Sequence, residues 1–243
     1  MKKPFLSIII PAFNEAERLP ETLRKINAYL STQDFPTEII VVENGSTDGT
    51  YSIANYMQGE ICCLTVLHEN KRGKGWAVRQ GIFKARGEYR FICDADLSMP
   101  INELANFMPP VELSAPIAIG SREAPGAMRY DEPEYRHIIG RAFNWFVRIL
   151  LLPGLNDTQC GFKLFREDAA KAIFPLLTIS GWTFDVEALF IAQKFRFKIV
   201  EIPINWYYHP HSTVKIFRDS FRMGIDLLKI RFNDLIGRYN AET

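Results

Sequence analysis

The sequence predicts an α/β fold built on a mainly parallel sheet, on three observations. Short apolar runs rich in β-branched residues alternate with segments of helical periodicity through the first half of the chain. Those runs are continuous, as strands buried on both faces require. Each of the first four ends in a cluster of polar residues, and in such sheets ligands bind at the carboxyl ends of the strands.

The elements follow in order. FLSIII is the first strand, and Leu19, Leu23, Ile26 and Leu30 then repeat at helical spacing. EIIVV is the second strand, followed by a Ser/Thr/Asp/Gly cluster and a short helix. CLTVL is the third and precedes a helix from about Gly75 to Ala85; YRFIC is the fourth. Their polar ends read PAFNE (11–15), ENGSTDGT (43–50), HENKRGKG (68–75) and DADLS (94–98). Near the C-terminus Phe217, Phe221, Ile225, Leu228, Phe232, Leu235 and Tyr239 fall at spacings of three and four, which places them on one helical stripe. No repeat, low-complexity tract or linker-like stretch divides the chain.

Composition removes several function classes. The 243 residues are 47% hydrophobic, enough for a sizeable core, and a formal net charge of +1 argues against bulk binding to nucleic acid. The cysteines Cys62, Cys63, Cys93 and Cys160 form no zinc-type spacing, which fits a reduced compartment. The apolar run near the N-terminus is too short for the central region of a signal peptide. The stretch nearest to a membrane span, residues 138–155, contains Arg141 and Arg148 and falls short of the ~18 to 20 uninterrupted apolar residues needed.

Asp94 and Asp96 are the sharpest chemical feature. Residues i and i+2 at a strand end point to the same side, so both carboxylates can meet one cation while Cys93 and Ala95 face away. Mg²⁺ and Mn²⁺ suit such a pair, because they take one or two carboxylates together with water and phosphate oxygens. The bland alternative is a turn or helix cap; three neighbouring polar strand ends favour the metal. ENGSTDGT is good turn chemistry in its own right, and Glu43 at its head is suited to a nucleobase or a ribose hydroxyl. Lys74 and Gly75, just ahead of a helix, favour an anionic ligand. Neither GxxxxGK[ST] nor GxGxxG is present. His209 and His211 form a possible ligand pair that nothing nearby completes.

PAFNE, VVENGSTDGT, RGKG, DADLSMP, GSRE and NDTQCGFKLF, in this order, resemble glycosyltransferase family 2, in particular its dolichyl- and polyprenyl-phosphate hexosyltransferases. DTQCGFKLF followed by WTFDVE is most similar to the β-glucosyl branch. The resemblance implies a GT-A fold over residues 1–243: a nucleotide-sugar-binding half (1–115), an acceptor-binding and catalytic half (116–210) and an amphipathic C-terminal helix (211–243). It implies that Pro11, Phe13, Glu15 and Glu43 surround the base and ribose with Lys74 nearby. Asp94 and Asp96 then carry the nucleotide-sugar and the divalent ion, with Asp96 the direct ligand. Here Glu43-Asn44 stands where the family usually has Asp-Asp.

The implied reaction is an inverting transfer of glucose from UDP-glucose to a polyprenyl phosphate, needing Mg²⁺ or Mn²⁺. Arg122, Arg129 and Arg136 are the candidates for the acceptor phosphate, since arginine's planar fork matches phosphate. Asp157 is the first choice for a base or positioning carboxylate and Asp185 the second. The expected setting is the cytosolic face of a membrane, reached through the C-terminal helix or the 138–152 stretch with Phe143, Trp145 and Phe146; packing on the protein's own core or in a homo-oligomer is the alternative use of that helix. GDP-mannose as donor, a soluble glycan acceptor, and a non-catalytic nucleotide-sugar-binding protein are the competing readings.

Overall fold

Each apolar run of the first half forms a strand and each periodic segment a helix: β1 (Leu6–Ala12), α1 (Leu19–Leu30), β2 (Thr37–Glu43), α2 (Thr50–Glu60), β3 (Leu64–His68), α3 (Lys74–Lys84) and β4 (Tyr89–Ile92). A 3-10 segment, Ile101–Phe107, leads on to β5 (Ile117–Ser121), β6 (Met128–Tyr130), α4 (Glu134–Leu150), β7 (Lys163–Arg166), α5 (Glu167–Ile173), α6 (Phe184–Lys194), β8 (Ile199–Pro203), β9 (Asn205–Tyr207) and α7 (Ile216–Leu235). This computed structural model describes residues 3–109, 115–208 and 216–240, without the side chains of residues 216–220. His209, His211, Lys215 and the side chain of Phe217 lie outside the described residues.

The main sheet has seven strands in the order β3-β2-β1-β4-β7-β5-β8. β1 pairs in parallel with β2 and β4, β2 with β3, and β5 with β8, whereas β7 runs antiparallel to both its neighbours. Alternation along each strand divides the interior in two. Leu6, Ile8 and Ile10 of β1 join Ile39 and Val41 of β2 beneath α1 and α2, which bury Leu19, Leu23, Ile26 and Met57 there. Ile9, Ile40, Val42 and Ile92 face the other way, onto α3, α5 and α6 through Val78, Ile82, Ala170 and Leu189. Coverage on both faces is why these strands read as continuous apolar runs.

Strand order reverses between β1 and β4, and a crevice opens at such a switch point beyond the carboxyl ends. Three contacts shape its rim. The loop before α3 lies against residues 179–181: Gly75 donates its N–H to Ser180 O at 2.9 Å, and at Gly73, with φ +138°, a Cβ atom would lie 2.2 Å from that same oxygen. The small parallel pair β6–β9 hangs on the turn after β4, with Tyr207 N–H donating to Ser98 O at 2.7 Å and Tyr130 stacked on Tyr207 at 4.5 Å. α4 and α7 pack against one another at the open side.

The C-terminal stripe needs one correction. α7 ends at Leu235, and Tyr239 returns to the core after a left-handed Gly237, donating its hydroxyl to Glu187 at 2.6 Å. The remaining described members, Phe221, Ile225, Leu228, Phe232 and Leu235, are all exposed; α7 packs on the core through Met223, Leu227 and Ile230 instead.

Gly81 sets how closely α3 approaches β1. A Cβ there would lie 2.3 Å from Ile9 Cγ2 and 3.2 Å from Val42 Cγ2. Alanine is the better helix former by about 1 kcal/mol, but β-branched side chains on a strand have little room to yield. Gly81→Ala is therefore expected to destabilise the fold by about 1–3 kcal/mol in urea titrations, the ordinary range for overpacking.

Candidate active site

The ends of β1 and β4, the start of α3 and the loop before α6 converge on one cavity of about 1100 Å³. Of the residues singled out in the sequence, Pro11, Phe13 and Glu15 line it from β1, Lys74 from α3, Asp94 and Asp96 from the turn after β4. Asp185 lines it near Lys74 and Asp94, and Arg122 and Arg136 line it as well, whereas Glu43, Arg129 and Asp157 do not reach it.

Its floor is acidic. β4 stops at Ile92, yet the expected alternation persists: Cys93 and Ala95 are buried while Asp94 and Asp96 are half-buried and face the cavity. Lys74 Nζ lies 2.6 Å from Asp94 Oδ1. Burial acts to lower the Lys74 ammonium, but Asp94, Asp185 and Asp96 outweigh it and hold it above the ordinary lysine value. The other Asp94 oxygen rests on the backbone of Gly161, where a Cβ would come within 2.2 Å of it. Asp96 caps its turn, accepting the Ser98 N–H at 2.9 Å, as the bland alternative expects, and also faces the cavity. Glu15, pushed up by burial with Asp96 and Asp94 adding to the effect, is held by a bidentate contact from Arg18.

Asp185 opens α6 and is 5% exposed. Lys163, itself 1% exposed, reaches its Oδ1 at 2.9 Å and also donates to Cys160 O. Burial raises the Asp185 carboxyl; Lys163 and Lys74 oppose this and Asp94 reinforces it. Among the described residues no group of three His, Cys, Asp or Glu side chains is placed to hold a metal by itself. The donor set of Asp94 and Asp96 nevertheless fits a hard divalent cation that takes its other ligands from a bound diphosphate and water.

Glu43 departs from its expected place beside the base. It is 1% exposed, one oxygen accepting the Ser46 N–H and the other bound to His68 Nδ1, so it shapes the turn after β2 from within. The neighbouring Asn44 lines the cavity and clamps the loop before α3, donating to Lys71 O and accepting the Gly73 N–H at 2.7 Å. Arg72, on that loop, lies over the Phe13 ring with Cζ 5.5 Å from its centroid, which creates a guanidinium and aromatic pair at the cavity edge.

The three candidate phosphate arginines separate sharply. Arg122 is bound to Asp157 through Nε at 2.7 Å and Nη2 at 3.0 Å, and its backbone N–H donates to the same carboxylate at 3.0 Å. Burial alone raises Asp157, but the charge and hydrogen bonds of Arg122 hold it down at about 2. A carboxylate so acidic and so enclosed is a poor proton acceptor, and its contacts suit the positioning half of the expected role, through Arg122; Asp185 alone of the two carboxylates lines the cavity. Arg129 is bound by Glu123 and Glu132, both at 2.5 Å. Arg136 lies over the Tyr208 ring at 5.2 Å and has no carboxylate partner among the described residues.

Sequence reasoning missed Arg18, Asn44, Arg72 and Lys163. The signals for Asn44 and Arg72 were present, since both sit in polar strand ends, and Lys163 sits within the quoted NDTQCGFKLF; nothing local marked Arg18.

A family model described as glycosyl transferase family 2 matches residues 7–174, more than half of the chain. The chain belongs to glycosyl transferase family 2. Among its relatives are proteins named dolichyl-phosphate beta-glucosyltransferase from Dictyostelium discoideum, 36% identical over 98% of this chain and 77% of that one, and from Homo sapiens, 35% identical over 98% and 78%. Glucosyl-3-phosphoglycerate synthase from Mycobacterium tuberculosis, solved with Mn²⁺, UDP-glucose and phosphoglyceric acid, superposes with a TM-score of 0.66 at 18% identity over 93% of this chain and 79% of that one. A mannosyltransferase from Pyrobaculum calidifontis, solved with GDP-Man and Mn²⁺, gives 0.55 at 17% identity over 97% and 65%. These two likenesses show the GT-A-like fold.

The Arg122–Asp157 pair carries a stability prediction. Arg122→Ala strands a buried carboxylate and is expected to cost about 3–5 kcal/mol in urea titrations at neutral pH. Because the folded-state Asp157 is depressed from 3.8 to about 2, the pair contributes roughly 2 kcal/mol that is present above the unfolded pKa and disappears as pH falls through the folded one. The penalty of Arg122→Ala should accordingly shrink between about pH 4 and pH 2, whereas a loss independent of pH would mean that packing, not charge, is at stake.

Proposed function

We propose that this family 2 enzyme transfers glucose from UDP-glucose to dolichyl or another polyprenyl phosphate, with inversion at the anomeric carbon. The observation that carries the reading is the division of one cavity into an acidic floor of Asp94, Asp96 and Asp185 and a wall bearing the uncompensated Arg136 on a helix with an apolar outer face. The names of the relatives support glucose, dolichyl phosphate and the lipid class of acceptor. Fold likeness alone does not choose the donor, since neighbours hold UDP-glucose in one case and GDP-Man in the other.

The residues divide the work. Phe13 and Arg72 offer two flat faces to a nucleobase, and Pro11 and Glu15 flank them. Asp96, with Asp94, would hold Mg²⁺ or Mn²⁺, which when bound neutralises the charge on the leaving nucleotide. Lys74 keeps Asp94 in place and adds a positive charge beside the diphosphate site. A phosphate monoester has a second pKa of about 6, so at neutral pH it attacks largely as the dianion and needs cationic positioning more than a strong base. Asp185 then acts by placement and by balancing Lys74 and Lys163.

An acceptor of this kind lies in a bilayer. No helix among the described residues is long and apolar enough to cross a membrane. α4 exposes Ile138, Trp145, Phe146 and Ile149, and α7 exposes Phe221, Leu228, Phe232 and Leu235. Apolar faces on two adjoining helices beside the cavity support a peripheral protein lying at the surface of a membrane. The reduced Cys62, Cys63, Cys93 and Cys160 support its cytosolic side.

Two outcomes follow. With UDP-glucose, a divalent cation and a short polyprenyl phosphate, Asp96→Ala should lower formation of the glucosylated lipid by about 100-fold or more, measured by mass spectrometry; wild-type rates in that variant would remove the metal assignment. In liposome flotation the wild type should rise with anionic vesicles and Phe221→Glu/Phe232→Glu should stay behind.

A further inference from the structure

Arg122 and Arg129 share their charge with enclosed carboxylates, so a phosphate dianion in the cavity calls for further cations beside them. Four of its lining cations form no ion pair with a carboxylate among the described residues: Arg72, Arg136, Arg222 and Lys229. Arg72 is drawn to Phe13 on the donor side. The other three stand on the two helices that adjoin the open side, Arg136 on α4 and Arg222 and Lys229 on α7.

Helical geometry fixes the placement on α7. Arg222, Asp226 and Lys229 are spaced four and three apart and share one flank. That flank separates the buried face of Met223, Leu227 and Ile230 from the exposed face of Phe221, Leu228 and Phe232. Asp226 lies between them and its charge acts on both without a direct ion pair, while its Oδ2 accepts the Thr183 hydroxyl at 2.9 Å and ties α7 to the loop before α6. Two cations and one carboxylate leave this flank a net charge of +1, and Arg136 of α4 brings the total to +2. On α4, Arg136 has the same relation to its neighbours, facing the cavity with Gly140 and Phe143 while Ile138, Trp145 and Ile149 point to solvent.

We infer that Arg222 and Lys229 of α7 join Arg136 of α4 in binding the phosphate monoester of the acceptor, so that the helix meeting the bilayer also holds the lipid's headgroup. This rests on the reading of the acceptor as a phosphate on an apolar chain. A phosphate monoester carries about −1.5 to −2 at neutral pH, which three cations from two helices balance. Guanidinium groups satisfy its oxygens in pairs and the ammonium adds a point charge. The apolar chain then leaves along the exposed faces of the same helices, and the phosphate oxygen is directed toward the floor where the sugar is held. α7 is thereby a wall of the acceptor site as well as an anchor.

The test is Arg222→Gln/Lys229→Gln, two exposed positions where the change keeps side-chain size, assayed with UDP-glucose and a short, water-soluble polyprenyl phosphate without vesicles. The acceptor KM should rise by about 10-fold or more, as for lost charge-assisted hydrogen bonds, with the donor KM and the thermal midpoint unchanged. Inorganic phosphate should compete with the acceptor in the wild type and compete less in the variant, and Arg222→Lys/Lys229→Arg should restore most of the affinity. An unchanged acceptor KM in the vesicle-free assay, with a defect seen only on anionic vesicles, would assign these cations to bilayer headgroups and overturn the inference. An equal rise in donor KM would overturn it too. Absence of glucolipid from the wild type itself would instead refute the acceptor class on which the inference rests.

Discussion

The contact between Lys74 and Asp94, 2.6 Å across the junction of α3 and the turn after β4, is the interaction on which the rest of the site depends. Asp94, Asp96, Asp185 and Glu15 face one cavity, and without cations among them their mutual repulsion would favour protonation or displacement of the turn. Lys74 addresses Asp94 directly and Asp185 through space; Lys163 closes the series from below and Arg18 holds Glu15. Much of the surrounding backbone serves to place that lysine. Asn44 grips the loop in front of it, Gly73 and Gly75 let the loop settle on Ser180, and Trp182 lies 5.3 Å from its ammonium.

Around the cavity, the enclosed arginines Arg122 and Arg129 are paired with carboxylates, whereas four other cations that line it form no ion pair with a carboxylate among the described residues. Arg122 with Asp157 and Arg129 with Glu123 and Glu132 hold together the region between β5 and α4. Removing either partner of an enclosed pair is costly, which makes these pairs good fasteners. Arg72, Arg136, Arg222 and Lys229 line the cavity, the first two over the rings of Phe13 and Tyr208.

Much of this was legible in the sequence because the relevant signals are local. Continuous apolar runs reported β1 to β4, and the polar ends of those strands reported the position of the cavity, with Pro11, Phe13, Glu15, Lys74, Asp94 and Asp96 all lining it. Roles that depend on partners distant in sequence were not legible. Arg122 and Asp157 are 35 residues apart, and no spacing rule shows that they neutralise each other. Glu43 looks free at a strand end, yet the turn that follows folds back over it and His68 covers it from β3. The antiparallel placement of β7 between β4 and β5, which brings Lys163 under Asp185, likewise has no local mark. For α7 the apolar spacing was visible, but which side of the stripe met the core was a matter of tertiary packing.

In the proposed reaction this cavity joins a nucleotide-sugar to a lipid phosphate in a single displacement. The most direct measurement is the mass and the anomeric proton coupling of the product formed from UDP-glucose and a short polyprenyl phosphate in the presence of Mg²⁺ or Mn²⁺. The account predicts a glucosyl phospholipid of β configuration, inverted relative to the α-linked donor. A product of retained configuration, or no lipid product from any nucleotide-sugar, would contradict it.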